Sequence, residues 1–115
     1  MMDRAREQGV RVILMTTNPL RWTPRLKELY GKPPYRPEAE DGFETPFLAS
    51  YNEAIRKISR QLDVPLIDVH AAYPGFAAEQ KTTVDQLLLD GMHPNDLGHE
   101  LVARLLVPVI RAQVE

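Results

Sequence analysis

Cysteine is absent from the 115 residues, which excludes disulfides, thiolate zinc sites and a cysteine nucleophile while leaving the redox compartment open. Serine is scarce: Ser50 and Ser59 are the only two. An excess of either charge is also lacking. Fourteen Lys and Arg stand against sixteen Asp and Glu, a net charge of −2, and the two signs are interspersed, so nothing draws the chain to nucleic acid or anionic lipid. The expected partner is a small, neutral molecule. No apolar run approaches the roughly 20 residues of a membrane helix. The segment from Met1 to Gln8 has no apolar centre and, as it stands, is not a secretory signal. With 43% hydrophobic and 26% charged residues, the composition is that of a globular unit of one domain at most.

Against these absences one stretch stands out, Asp90-Gly91-Met92-His93-Pro94-Asn95-Asp96-Leu97-Gly98-His99. It places a carboxylate three residues before a histidine. A histidine acts as a general base near neutral pH when a carboxylate holds one ring nitrogen, which fixes the tautomer and leaves the other nitrogen free to take a proton from a nucleophile. Taken alone, Asp90 reads more readily as a turn cap and His93 as an exposed loop residue; the surrounding pattern reverses that balance.

Elsewhere the chain alternates helical and strand signals. Asp3 to Gln8 is a helix end with Gly9 behind it, and Val10 to Thr16 is a β-branched apolar run suited to a strand buried on both faces of a parallel sheet. Thr17-Asn18-Pro19 ends that strand. Leu20 to Glu44 forms a proline-rich excursion with one short helix, Pro24 to Tyr30, capped by Thr23, started by Pro24 and closed by Gly31. Loops of this length are often binding lids. Thr45-Pro46 is expected to open the longest helix, whose Phe47, Leu48, Tyr51, Ile55, Ile58 and Leu62 share a face read as a packing face. A second short strand follows at Pro65 to Val69. Ala71 to Gln80 and Val84 to Leu88 are weaker helical segments, and Asp96 to Val107 is the last strong helix, with Asn95 as N-cap. Helix, strand, helix, strand is an α/β layout.

Asp90-Gly91-Met92-His93-Pro94-Asn95 with Gly98 after it, preceded by this order of elements, resembles the last sequence block of the SGNH/GDSL hydrolases, an α/β superfamily of serine esterases and related acyl hydrolases. The likeness spans nearly the whole chain. It implies part of a flavodoxin-like three-layer α/β/α parallel sheet, residues 1–115 being the C-terminal portion of a single domain. By this resemblance His93 matches the family's general base and Asp90 the acid that orients it. The family's Gly-Asp-Ser nucleophile block, its glycine block and its Gly-x-Asn-Asp block have no counterpart here. Ser50 and Ser59 lie within the long helix, without the strained turn that exposes a nucleophile, and are expected to be structural. The sequence therefore reads as a fragment that needs the missing N-terminal, nucleophile-bearing half and is inactive alone. The resemblance implies no metal and no cofactor, and an ester as substrate. Asn18 and Trp22, at the carboxyl end of the first strand, are candidate substrate-binding residues on the rule that parallel sheets bind ligands there; with Arg21 they favour a carbohydrate O-acyl ester.

Two rival readings remain. Asp90, His93 and His99, with His70 or Asp68, are the residue types of a divalent-metal site, although no HExxH-like spacing accompanies them. A noncatalytic module that presents the proline-rich excursion to a partner is the other. Pro33-Pro34-Tyr35-Arg36-Pro37 is short and mixed for a docking ligand.

Overall fold

Two parallel strands form the sheet, β1 (Leu14–Met15) and β2 (Leu66–Ile67), with Leu14 opposite Leu66 and Met15 opposite Ile67. The computed structural model describes residues 2–114. Before β1 lies α1 (Met2–Glu7), and α2 (Pro24–Tyr30) stands in the excursion. Helix α3 (Leu48–Leu62) leads into β2, which runs directly into α4 (Val69–Glu79). A single 3-10 turn, Val84–Leu87, precedes the Asp90–His93 loop, and α5 (Asp96–Val114) completes the order. This is a helix-rich α/β arrangement with a parallel sheet, the class expected from the sequence.

Three expectations need correction. The strand expected over Val10 to Thr16 is paired only at Leu14 and Met15, because β2 is equally short and stands on one side only. Val10 is 53% exposed and Met15 38%, so this strand is not buried on both faces. The longest helix is α5, with 19 residues against 15 in α3. It runs past Val107 through Pro108, whose missing N–H is tolerated because that side of the helix faces solvent. Most consequentially, the apolar face of α3 is largely uncovered: Tyr51, Ile58 and Leu62 are exposed and Leu48 and Ile55 only half-buried, while Asn52 and Ser59 are its buried residues.

The core sits at the other end of the chain. Ile67 and Val69 meet Tyr73, Phe76 and Ala77 of α4, Leu87 and Leu88, and Leu101 of α5, with Leu97, Leu105 and Val109 continuing the stripe of α5. Their three- and four-residue spacing lays one side of α5 along α4. Gly98 permits the approach, since a Cβ there would lie 2.5 Å from the Leu87 carbonyl oxygen. Tyr73 is wholly buried and its hydroxyl has no partner among the described residues. Burial raises the pKa of that hydroxyl and leaves a desolvated polar group that offsets the ring's packing. Tyr73→Phe is therefore expected to keep or raise stability, by up to about 1 kcal/mol. A denaturant midpoint lowered by the variant would contradict this account.

The whole is flattened. Its extents are 46 × 31 × 18 Å and its radius of gyration is 16.0 Å, against about 13 Å for a compact domain of this length. The accessible surface of 7632 Å² exceeds the roughly 6400 Å² expected of a compact monomer of this mass.

Candidate active site

The loop from Leu88 to Pro94 is closed by an antiparallel bridge between those two residues, with the Leu89 N–H donating to the His93 carbonyl at 2.7 Å. Asn95 locks its base. The Asn95 amide donates to the Gln86 carbonyl, and its Oδ1 accepts the Gly98 N–H at 3.1 Å, the N-cap bond expected for α5. Within the loop, Asp90 Oδ1 accepts the N–H groups of Met92 and His93 at 2.9 and 2.8 Å, while Oδ2 lies 2.7 Å from His93 Nδ1.

One carboxylate thus shapes the turn and holds the ring. The bond from His93, joined by the two backbone N–H groups, holds the Asp90 carboxyl at about 2, well below the ordinary range. Asp90 is therefore ionised at neutral pH and keeps the proton on Nδ1, which leaves Nε2 as the ring nitrogen free to accept, on a side chain that is 68% exposed. The loop lies beyond the carboxyl end of β1, because Asn18, three residues after that strand, donates from Nδ2 to the Met92 carbonyl at 2.9 Å.

The other anticipated residues take different places. Trp22 stacks on Phe43 at 4.8 Å, meets Tyr35 edge-on and donates to the Arg36 carbonyl. Tyr30 and Phe47 join the same aromatic group, so the ring of Trp22 chiefly holds the excursion together. Its edge borders a cleft of about 220 Å³ with Arg21, Lys27, Glu40 and Asp85. His99 lines a different open cleft, of about 540 Å³, with Leu89, Pro94 and Leu97. Among the described residues no three His, Asp or Glu side chains converge to hold a metal ion, and the Asp90–His93–His99 metal site has no ligand set. Asp90 already spends its oxygens on His93 and the backbone. Ser50 donates to the Phe47 carbonyl, and buried Ser59 donates to the Val64 carbonyl at 2.6 Å; both have structural partners.

Two polar clusters elsewhere in the fold were missed by sequence reasoning. Asp68 caps α4, accepts the Thr16 hydroxyl at 2.9 Å and pairs with Arg56 at 2.8 Å. The Arg56 bond is the main cause that brings its carboxyl to about 2, against the opposing effect of burial and with help from Thr16 and the Ala71 N–H. The signal was a carboxylate immediately after a buried strand and before a helical run, an N-cap pattern. Glu44, 7% exposed, accepts the Leu20 N–H at 2.9 Å and lies 3.2 Å from His70 and 3.5 Å from Arg21. Burial pushes its carboxyl up, but the His70 and Leu20 bonds and the His70 and Arg21 charges outweigh that, and the net shift is downward. No local pattern announces this cluster.

Both carboxyls are depressed in the folded chain, so they stabilise it above the unfolded carboxylate range and lose that contribution as pH falls through their folded values. Between about pH 5 and 2, Asp68 should lose roughly 1 kcal/mol once solvent screening of its partly exposed pair is allowed for. Asp68→Asn is expected to be less stable at neutral pH and to show a shallower acid limb in urea melts. Parallel acid limbs in variant and parent would refute the assignment.

Helices around a parallel pair of strands, with the Asp90–His93 loop beyond the carboxyl end of β1, define an α/β unit whose loops stand where such sheets bind ligands. The chain belongs to the GDSL-like lipase/acylhydrolase family, whose profile matches residues 1–101. No curated protein gives a significant match. Among solved structures, a protein from Bacteroides fragilis NCTC 9343 assigned as an acylhydrolase superposes with a TM-score of 0.69 at 19% identity, over 99% of this chain and 48% of that one. A GDSL-like lipase from Bacteroides thetaiotaomicron VPI-5482 superposes with a TM-score of 0.67 at 21% identity, over 96% and 47%. The chain spans about half the length of these structures. Among the described residues no helix is long and apolar enough to cross a membrane.

Proposed function

We propose that this chain supplies the general base, His93, and the orienting acid, Asp90, of a serine acyl-ester hydrolase. The observation that carries the reading is the 2.7 Å contact between His93 Nδ1 and an Asp90 oxygen whose partner oxygen is anchored to the backbone. In that geometry Nε2 accepts the serine hydroxyl proton as Oγ attacks the ester carbonyl, while ionised Asp90 stabilises the imidazolium. The imidazolium returns the proton to the leaving alkoxide. Water, deprotonated by Nε2, then attacks the acyl-enzyme and releases the acid. The substrate is a small acyl ester. The aromatic packing of Trp22 removes the main support for a carbohydrate ester in particular.

The nucleophile and oxyanion donors come, in this proposal, from strands outside the 115 residues. Leu14 and Thr16 donate to β2, so the N–H groups of Ile13 and Met15, one residue out of step, point to the open side of β1. That edge, the uncovered apolar face of α3 and the surface in excess of a compact monomer all support a docking face for the remaining strands of a GDSL domain. Fragment status is thereby a proposal about the domain: residues 1–115 as its C-terminal portion, with the nucleophile-bearing half as the occupant of that face.

The test is the coding sequence read in frame upstream of Met1 and, where it encodes a Gly-Asp-Ser block, p-nitrophenyl acetate hydrolysis by the joined polypeptide. The expected result is hydrolysis by the joined polypeptide and none above the imidazole background by this chain alone. Equal rates for the two would sink the proposal.

A further inference from the structure

We propose that Asn18 is a positioning residue for His93, acting as the counter-clamp to Asp90. This deepens the general-base reading and rests on it. Two consecutive peptide planes of the loop carry the hydrogen bonds concerned. The Met92 N–H goes to Asp90 Oδ1 at 2.9 Å, and the carbonyl of the same plane, that of Gly91, accepts the Arg21 N–H at 2.9 Å. In the next plane the His93 N–H goes to Asp90 Oδ1 at 2.8 Å, and its carbonyl, that of Met92, accepts from Asn18 Nδ2 at 2.9 Å. Each plane is therefore held at both ends.

Asp90 takes the two N–H ends from inside the loop. Asn18 and the Arg21 backbone take the two carbonyl ends from the segment that follows β1. A peptide plane gripped at its N–H alone can still swing about that bond; gripped at both ends it is fixed, and the Cα of His93 with it. Asn18 Nδ2 makes a second bond, to the Pro19 carbonyl at 2.9 Å, so both amide protons point at carbonyl oxygens. That pattern sets the amide's orientation, because the flipped side chain would aim its own oxygen at two acceptors. Arg21 contributes through its backbone and any residue but proline can do the same. Asn18 contributes through its side chain, from 74 positions away along the chain.

The experiment uses the whole chain without substrate. Asn18→Ala removes the donor, and Asn18→Asp keeps the shape while placing a carboxylate against two carbonyls. Amide hydrogen exchange at Met92 and His93, and the NMR titration of the Asp90 carboxyl, report on the loop; far-UV circular dichroism and the thermal midpoint report on the core. In Asn18→Ala, exchange at His93 should quicken at least about tenfold and the Asp90 midpoint should rise by about one pH unit towards its ordinary value, with larger changes in Asn18→Asp and little movement of the core. Unchanged exchange and an unchanged Asp90 midpoint in a folded variant would overturn the proposal. So would loss of the whole fold in both variants, because a positioning residue must spare the core built on α4 and α5. No step depends on ester hydrolysis, so a joined polypeptide that proved inactive would refute the function and leave the clamp standing.

Discussion

In the joined domain, His93→Ala is expected to lower kcat for p-nitrophenyl acetate by about four to six orders of magnitude, with KM changed little. The serine then has no acceptor for its proton, and what rate remains comes from substrate binding and the oxyanion donors. Asp90→Asn is the sharper of the two tests. The amide preserves the shape of the turn, and its oxygen can still accept the Met92 and His93 N–H groups now held by Oδ1. At the Oδ2 position it presents an N–H to His93 Nδ1, which selects the wrong ring tautomer and points a proton at the nucleophile. A drop of about 10⁴ in kcat with the fold unchanged is expected. An Asp90→Asn variant within tenfold of the parent would show that the carboxylate serves the turn and not the chemistry.

Gly91→Ala should be the most damaging small substitution in the loop. Gly91 has φ +83°, and a Cβ there would lie 2.5 Å from the Arg21 carbonyl oxygen, 2.9 Å from Thr23 Cγ2 and 3.0 Å from Leu26 Cδ1. The left-handed backbone alone costs an alanine about 1–2 kcal/mol. The contact adds to this, since the nearest obstacle is backbone, Thr23 is engaged as the cap of α2, and Leu26 is buried. Relief requires the loop to lift from the excursion, which breaks the Arg21–Gly91 bond and loosens the plane that Asp90 holds. A total loss of about 2–4 kcal/mol in urea unfolding is expected, together with a higher Asp90 midpoint. Stability within about 1 kcal/mol of the parent would mean that the loop is not seated on this segment.

The damage expected at Gly91 also shows where a sequence reading stops. DGMHPN is legible as a local motif because the bonds that shape it join residues two or three positions apart, and such bonds are dictated by short-range geometry. The same holds for α2, whose Thr23 cap, leading proline and closing Gly31 all stand where expected, and for the Asn95 cap of α5. What the loop rests on is not local. Asn18 reaches Met92 across 74 residues, Thr16 reaches Asp68 across 52, and Glu44 meets His70 across 26. No periodicity or cap rule links residues so far apart.

Helix α3 makes the same division at larger scale. Its period shows an apolar face, and the face exists; whether anything covers it depends on what else the fold contains. Here the polar Asn52, Arg56 and Ser59 face the sheet, where Asn52 accepts the Thr17 N–H and Arg56 pairs with Asp68. By itself, then, the sequence determined the α/β class, the caps of α2 and α5, the family likeness and the Asp90–His93 contact, all of which follow from propensity, capping and short-range hydrogen bonding. Only the tertiary structure decided the extent of the strands, the exposure of α3, the packing of Trp22 within the excursion and the seat of His93 between Asp90 and Asn18, because each depends on groups that chain folding alone brings within bonding distance.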